Sequence, residues 1–330
     1  MGALLGDILY GLFAVILGVA GSYGLYWLLG KAVTLFPAKT QDKIRHWGFL
    51  LPAATLVLTI LLYPLVQTIF LSFFNASGKK FIGLKNYTDL FTSADFLGIL
   101  LNNFLWVAIV PFFTVGIGLV FATLTNRIGP TREKIFKSLI FMPMSISFIS
   151  AATIWNLIYK FVPPGRPEIG LVNAVVSASG GTPQPWLLND NFRFNSFLLM
   201  IIVIWLQAGF SMVLLSSAIK AVPEETVEAA RIDGATSTQI FFRIILPQIR
   251  GTIMSVFVTV LILVMKIFDV VLAMTRGKYN TSVLAMEFYS RFFVNNDTGA
   301  AAAVVTVLLV LIAPLMWLQI RTVKQQETLR

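Results

Sequence analysis

The chain has 330 residues, 57% of them hydrophobic and 12% charged, with a net charge of +10 and a mean hydropathy of +0.82. This composition excludes an ordinary water-soluble enzyme, because even a large globule buries only about three-quarters of the surface that its unfolded chain exposes, so lipid must solvate much of the chain. It also argues against a nucleic-acid-binding protein, because the basic residues flank the apolar runs and are explained by membrane topology.

Seven apolar runs are long enough to cross a bilayer, for which a helix needs about 20 residues. They cover residues 7–30, 49–74, 100–124, 135–159, 196–220, 250–275 and 299–320. Each run is predicted to be helical, since only helices satisfy their own backbone polar groups in lipid. Pro64, Pro111, Pro143 and Pro314 fall inside runs and are predicted to kink or break a helix turn. The predicted fold class is therefore an all-α polytopic membrane protein.

The first run is predicted to be an extra span in front of a six-helix domain. Residues 1–48 hold this span and a cytoplasmic connector, residues 49–322 form the transmembrane domain, and residues 323–330 form a cytoplasmic tail. A cleaved signal peptide is the alternative for the first run. The run is too long for a typical signal peptide and no basic region precedes it, so an uncleaved span is favoured.

The basic residues predict the orientation through the positive-inside rule. Connectors on the side of residues 223–247 carry most of the lysines and arginines, which places this side and the carboxyl terminus in the cytoplasm. The amino terminus then lies outside, in agreement with an opening stretch, MGALLGDILY, that has no basic residue. Of the outer connectors, residues 75–99 are predicted to contain a short amphipathic helix, and residues 160–195 to form a functional loop or a folded cap.

The cytoplasmic segment 223–247, PEETVEAARIDGATSTQIFFRIILP, is highly charged although it lies between two apolar runs. Pro223 is predicted at the first position of a helix, and Gly234 is predicted to end this helix in a left-handed conformation. Thr236 or Ser237 is predicted to cap a second helix, which Pro247 ends. A helix that only lies on lipid headgroups would need a basic polar face. The acidic face of the first helix favours docking into another protein.

Some residues of this segment have a characteristic spacing, namely Glu228, Ala229, Ala230, Asp233, Gly234, Ala235, Leu246 and Pro247. Their pattern resembles the EAA signature of the membrane subunits of importer-type ATP-binding-cassette transporters. In that family the segment is the coupling helix, which inserts into a groove of an ATPase subunit. The resemblance implies that Glu228 pairs with a basic residue of the ATPase and that Gly234 makes the turn.

The resemblance extends over residues 49–321. The stretches FIGLKNY, LIFMPMSISFIS, GLVNAVV, PWLL and IFDVVLAMT resemble carbohydrate-uptake permeases of the maltose type, in the branch of the first permease subunit. The loop GRPEIGLVNAVV and the extra first span are most similar to α-glucoside permeases, with glucosylglycerol permeases as close relatives. This implies half of the translocation pathway of an ATP-driven sugar importer of the bacterial inner membrane, which works by alternating access. The implied partners are a homologous second permease, a dimer of ATPase subunits and an extracytoplasmic solute-binding protein.

The resemblance also implies where a sugar is held near the middle of the membrane. The family's contact positions fall on Met144 and Phe148 in one span and on Leu206, Gln207 and Phe210 in another. Gln207 is suited to hydrogen-bond sugar hydroxyls, which are costly to bury unpaired. Phe210 is suited to stack on a sugar ring.

A further set of contact positions departs from the family, because it is aliphatic where maltose permeases carry polar side chains. This set is Val260, Leu263, Val264 and Ile267. Its spacing describes one helical face, which favours packing over an apolar wall for the sugar. In the same span, Lys266 and Asp269 are predicted to form either a pair within the helix or a gating or substrate contact, since charges in spans are usually paired or functional.

No set of catalytic residues is evident in the sequence. There is no GxxxxGK[ST] phosphate-binding loop, no cysteine and one histidine, His46, so neither ATP hydrolysis nor a metal site is expected in this chain. ATP and magnesium are expected to bind to the partner ATPase. One alternative is an ion-coupled transporter or a channel, but the spans hold few of the acidic residues that such proteins need. Another alternative is a membrane scaffold without transport.

Overall fold

The computed structural model describes residues 2–34, 37, 49–163 and 165–328, and all regular secondary structure in these ranges is helical. The predicted connector around His46 lies outside the described residues. The helices are α1 (Gly2–Thr34), α2 (Phe49–Leu71), α3 (Lys85–Thr92), α4 (Ala94–Thr125), α5 (Pro130–Phe141), α6 (Phe148–Ile158), α7 (Leu171–Ala178), α8 (Phe194–Lys220), α9 (Glu224–Ile232), α10 (Ser237–Gln248), α11 (Arg250–Met265), α12 (Asp269–Met274), α13 (Leu284–Tyr289) and α14 (Thr298–Thr328).

The seven predicted spans correspond to five long apolar helices and two bent pairs of helices in the described part of the chain. The long helices are α1, α2, α4, α8 and α14. The bent pairs are α5 with α6, at 100°, and α10 with α11, at 68°. The predicted all-α polytopic fold class is confirmed, but two predicted spans are not continuous helices.

The predicted span 135–159 is broken next to Pro143. After α5 the chain makes a 3-10 turn, Met142–Ser145, and then leaves helical geometry at Ile146, which has φ −86° and ψ 136°. Pro143 has no N–H with which to continue the α-helical ladder. Ser147 then caps α6 by accepting a hydrogen bond of 3.2 Å from the backbone N–H of Ser150, so a new helix begins in another direction.

The predicted span 250–275 is interrupted at Lys266. This residue ends α11, and the next helix, α12, begins at Asp269. A cation at the end of one helix and an anion at the start of the next are both favoured by the helix dipoles. The two residues therefore do not share a helix, and no salt bridge joins them among the described residues. The expected pair within one helix is wrong.

The chain divides into two compact units, one up to Thr68 and one from Ile69 onward. In the first unit, the described side chains of α1 and α2 are almost all exposed and mostly apolar, as expected for helices that lipid solvates. In the second unit, α8 packs against α4, α5 and α11. Trp106 and Met212 are fully buried in the resulting core.

Close packing of α4 on α8 depends on Gly118. A Cβ atom at this position would lie 2.5 Å from Cβ of Ser211 and 2.9 Å from the backbone nitrogen of Met212. Small residues are enriched at such contacts between helices in membranes, because they let two backbones approach.

We expect Gly118→Ala to destabilise the second unit by about 1–3 kcal/mol, the usual cost of overpacking. The thermal unfolding midpoint of the complex purified in detergent should fall by several degrees. The matched control is Gly116→Ala on the same helix, because a Cβ there has no neighbour within 4 Å. Equal midpoints for the two variants would contradict this role of Gly118.

Candidate functional site

The segment 223–247 forms two helices joined by a sharp turn, as predicted. Pro223 precedes the first helix, α9, rather than occupying its first position, and Glu224 and Glu225 lie in the first turn, where the helix dipole favours anions. Further along, Glu228 is exposed and has no salt bridge or side-chain hydrogen bond among the described residues. Ile232 is 86% exposed. The helix thus presents an acidic carboxylate and an aliphatic side chain that nothing in the described chain covers.

The turn after α9 is a Schellman motif. Gly234 has a φ of +80°, its N–H donates to the Arg231 carbonyl at 3.0 Å, and the Ala235 N–H donates to the Ala230 carbonyl at 3.0 Å. Such a motif needs a left-handed residue, for which glycine has no steric cost. Asp233 is the C-cap residue between α9 and this glycine. The predicted left-handed end of the first helix is confirmed.

The second helix, α10, begins with a capping box. The Thr236 hydroxyl accepts a hydrogen bond from the Gln239 N–H at 3.3 Å, and the Gln239 side chain accepts one from the Thr236 N–H at 2.8 Å. Pro247 does not end this helix as predicted, because a π-helical turn, Phe241–Ile245, precedes it and the helix continues to Gln248. Leu246 begins this last helical turn. These caps fix the angle between the two helices by local bonds alone.

A charged cluster ties the base of this segment to the transmembrane bundle. The Glu133 carboxylate on α5 accepts contacts of 2.5 Å from the ammonium groups of both Lys137 and Lys220. Lys137 also donates to Asn126, at the end of α4, and to Ser216 on α8, whose hydroxyl donates to Asn126 at 2.7 Å. The cluster therefore joins three helices immediately before the chain enters α9. Glu133 was not predicted as a functional residue, although its spacing of four from Lys137 is a usable signal in the sequence.

The connectors at the other end of α8 are folded. Residues 75–99 contain the short helix α3, and residues 160–195 contain α7, so the predicted short helix and folded cap are both found. Asn102, at 0% exposure, donates to the carbonyl groups of Asn280 and Ser282 at 2.6 and 2.9 Å and thereby holds a further loop against α4.

Residues 114–323 match a family described as "Binding-protein-dependent transport system inner membrane component". The chain belongs to this family. The matched range includes the two-helix segment, both bent helix pairs and the Glu133 cluster. The chain is a permease subunit of an ATP-binding-cassette importer, and the alternative of an ion-coupled transporter or a channel is not favoured.

Two relatives are similar to the permease over most of its length. It is 45% identical over 290 residues to the alpha-glucoside transport system permease protein AglF of Rhizobium meliloti, with 88% of this chain and 85% of the relative covered. It is 42% identical over 282 residues to the osmoprotective compounds uptake permease protein GgtC of Synechocystis sp., with 86% of this chain and 100% of the relative covered.

A solved structure shares the fold of the permease. It is a bacterial ABC transporter involved in the import of the acidic polysaccharide alginate, which matches with a TM-score of 0.73 at 22% identity and covers 86% of this chain and 97% of its own. At this identity the likeness concerns the fold alone.

The permease brings three of the five predicted sugar-contact residues into one apolar cluster. Leu206 is 2% exposed, and Phe148 and Phe210 are half-buried and pack against the same core. Met144 lies in the exposed 3-10 turn beyond this cluster. Gln207 is 7% exposed, and no hydrogen bond from its amide is found within the described residues. The Gln207 amide is not among the fully buried unpaired groups of the described chain, so its contact with a sugar stays a prediction.

The aliphatic set, which lies on α11 and just beyond its end, packs inside the same core. Val260, Val264 and Ile267 are at most 3% exposed, and Leu263 packs against them. Their burial supports the packing interpretation over an apolar wall for the sugar. Lys266 is exposed at the end of this helix.

We expect Gly234→Ala to weaken the docking of the permease on its ATPase. No atom lies within 4 Å of a Cβ at this position, so the cost is backbone strain alone, about 1–2 kcal/mol, which corresponds to roughly five- to thirty-fold in an equilibrium. The amount of ATPase that copurifies with the tagged permease should fall accordingly. The matched control is Gly129→Ala, which has equal free space at a φ of −60°. Undiminished copurification of the ATPase with Gly234→Ala would refute the role of the turn.

Proposed function

We propose that this permease forms half of the translocation pathway of an importer for α-glucosides or related neutral glucosides. The observation that carries the proposal is the capped two-helix segment 223–247, whose exposed Glu228 and Ile232 leave a docking face for an ATPase. The substrate class rests on the relatives, which are named for alpha-glucoside transport and for uptake of osmoprotective compounds.

The assembly would contain a second, homologous permease, two ATPase subunits and an extracytoplasmic solute-binding protein. One ATPase subunit would dock on the segment 223–247, and the binding protein would deliver sugar to the connectors 75–99 and 160–195. ATP and magnesium would bind to the ATPase subunits. The segment 223–247 and the carboxyl terminus would lie in the cytoplasm of a bacterium, and the amino terminus would lie outside the inner membrane.

The permease would work by alternating access between two states. ATP binding closes the ATPase dimer and pulls the two coupling segments together. Because α9 is capped rigidly and the Glu133 cluster ties its base to α4, α5 and α8, the movement reaches the helices that carry Phe148 and Gln207. The pathway then opens to the outside, and hydrolysis of ATP resets it.

The experiment is sugar uptake by the complete complex in proteoliposomes, with the binding protein outside and ATP inside. We expect accumulation of radiolabelled maltose or maltotriose that requires both the ATPase and the binding protein. Uptake that persists without the ATPase would refute the coupling. A binding protein that retains no di- or trisaccharide from a panel of glucosides would refute the substrate class.

A further inference from the structure

A cavity of about 600 Å³ lies where the end of α6 meets the loop before α8. Its volume is within the range of about 300–1,000 Å³ of small-molecule sites. Trp186 lines it and contacts Phe194, the first residue of α8, at 6.3 Å between ring centroids. The coupling segment follows the other end of α8, and a helix of 27 residues spans about 40 Å. The cavity is therefore at the end of the bundle opposite to the ATPase docking face.

One wall of this cavity is held rigidly by Asn173. This side chain is 0% exposed and makes four hydrogen bonds. Its amide donates to the carbonyl groups of Lys160 and Gln184, each at 3.0 Å, and its carbonyl accepts from the Gln184 N–H at 2.9 Å and from the Trp186 indole N–H at 2.7 Å. A buried amide with all its bonds made fixes its neighbours, so the indole ring is positioned before any ligand arrives.

The opposite wall consists of one face of α6 and the turn that follows this helix at Tyr159. Thr153 and Asn156 are spaced by three on α6, which places them on the same side of this helix; Lys160 follows two residues after its end, and all three line the cavity. Within the described residues, neither the Asn156 amide nor the Lys160 ammonium makes a hydrogen bond or a salt bridge. Donors and acceptors are thus free on one side, and the rings of Trp186 and Tyr159 lie among the lining residues.

We propose that this cavity is an outer subsite for a neutral saccharide, which receives the sugar before it moves along α6 toward Phe148. A saccharide offers hydroxyl groups to amide and ammonium groups and an apolar ring face to an indole, and the cavity supplies both. The proposal rests on the proposed function. The distance along the path is short, because Phe148 begins α6 and the cavity-lining Asn156 follows eight positions later in the same helix, which is about 12 Å at 1.5 Å per residue.

The experiment uses cysteine protection, for which this chain is suited because it contains no cysteine. Asn156→Cys is introduced into the complete complex in nanodiscs, and the labelling rate of this subunit by a maleimide is measured with and without maltotriose. We expect maltotriose to slow labelling at least threefold, whereas sodium chloride of equal osmolality should not. Lys278→Cys is the control, because this exposed residue lies in a nearby loop and does not line the cavity; its labelling should not change with maltotriose.

A second measurement separates a sugar contact from a general disturbance. We expect Asn156→Ala and Trp186→Ala to raise the dissociation constant of maltotriose for the complex held in its ATP-bound state, about threefold and tenfold respectively, without changing the affinity of the binding protein. Two results would overturn the subsite. One is that maltotriose does not slow the labelling of Asn156→Cys, and the other is that this thiol is inaccessible to the maleimide in the assembled complex. If the unmodified complex accumulates no maltotriose or maltose at all, the proposed function fails instead.

Discussion

Glu228→Lys is expected to abolish sugar uptake and to release the ATPase from the permease. Glu228 is exposed on α9 and has no partner within the described residues, so its carboxylate is free to pair with a basic residue of the ATPase. Reversing one charge of a desolvated pair across an interface costs about 2–5 kcal/mol, which lowers the affinity by at least about thirtyfold. The measurements are copurification of the ATPase and ATP-dependent uptake in proteoliposomes.

The control for this variant is Glu225→Lys. Glu225 is also exposed on α9 and the substitution changes the net charge equally, but this residue lies in the first turn. Its loss should cost only the interaction with the helix dipole, about 0.3–1 kcal/mol. Equal losses of ATPase for the two variants would mean that net charge, and not a specific pair at Glu228, determines docking. If the Glu228→Lys variant takes up sugar at the unmodified rate, Glu228 has no role in coupling the permease to the ATPase.

Glu133→Ala is expected to destabilise the permease and to impair transport together. The substitution leaves two lysine ammonium groups beside each other, one of which, Lys137, is only 22% exposed. Removing one partner of a fully buried ion pair costs about 3–5 kcal/mol. Because water partly screens this cluster, we expect about 2 kcal/mol. The measurements are the thermal unfolding midpoint in detergent, which should fall by several degrees, and the uptake rate, which should fall about tenfold.

The matched control is Glu287→Ala. Glu287 has a similar exposure, 19%, and pairs with Arg291 four residues along the chain at 2.6 Å, but it does not bridge several helices. A pair of this kind contributes about 0.3–0.5 kcal/mol. If Glu133→Ala lowers the midpoint no more than Glu287→Ala, the cluster does not hold the base of the coupling segment to the bundle.

Local signals in the sequence were sufficient to predict the coupling segment. Gly234 needs no neighbour to favour its φ of +80°, and Thr236 caps the next helix with a residue only three positions away. The second helix ends at Gln248, one residue after Pro247, and not at the proline as predicted. The fold class followed from the lengths of the apolar runs, since lipid permits only helices of that length or closed barrels.

The contacts between distant residues were beyond the reach of sequence patterns. Glu133 meets Lys220, and Asn102 meets the loop at Asn280, only because helices far apart in the chain pack side by side. The break at Lys266 was missed and the one at Pro143 was predicted only as a kink or broken turn, because hydropathy measures the length of a run and not its direction.

The all-α membrane fold class and the two-helix form of segment 223–247 could be predicted from the sequence, because they depend on composition or on bonds between residues a few positions apart, and the family followed from the resemblance of short motifs. Which polar groups are paired and which are free became evident only from the packed helices and loops. This packing assigns Asn173 to a fully bonded wall and leaves Asn156 and Lys160 facing a cavity. The physical reason is that pairing of a polar side chain depends on the elements packed around it, and a single sequence does not specify these neighbours.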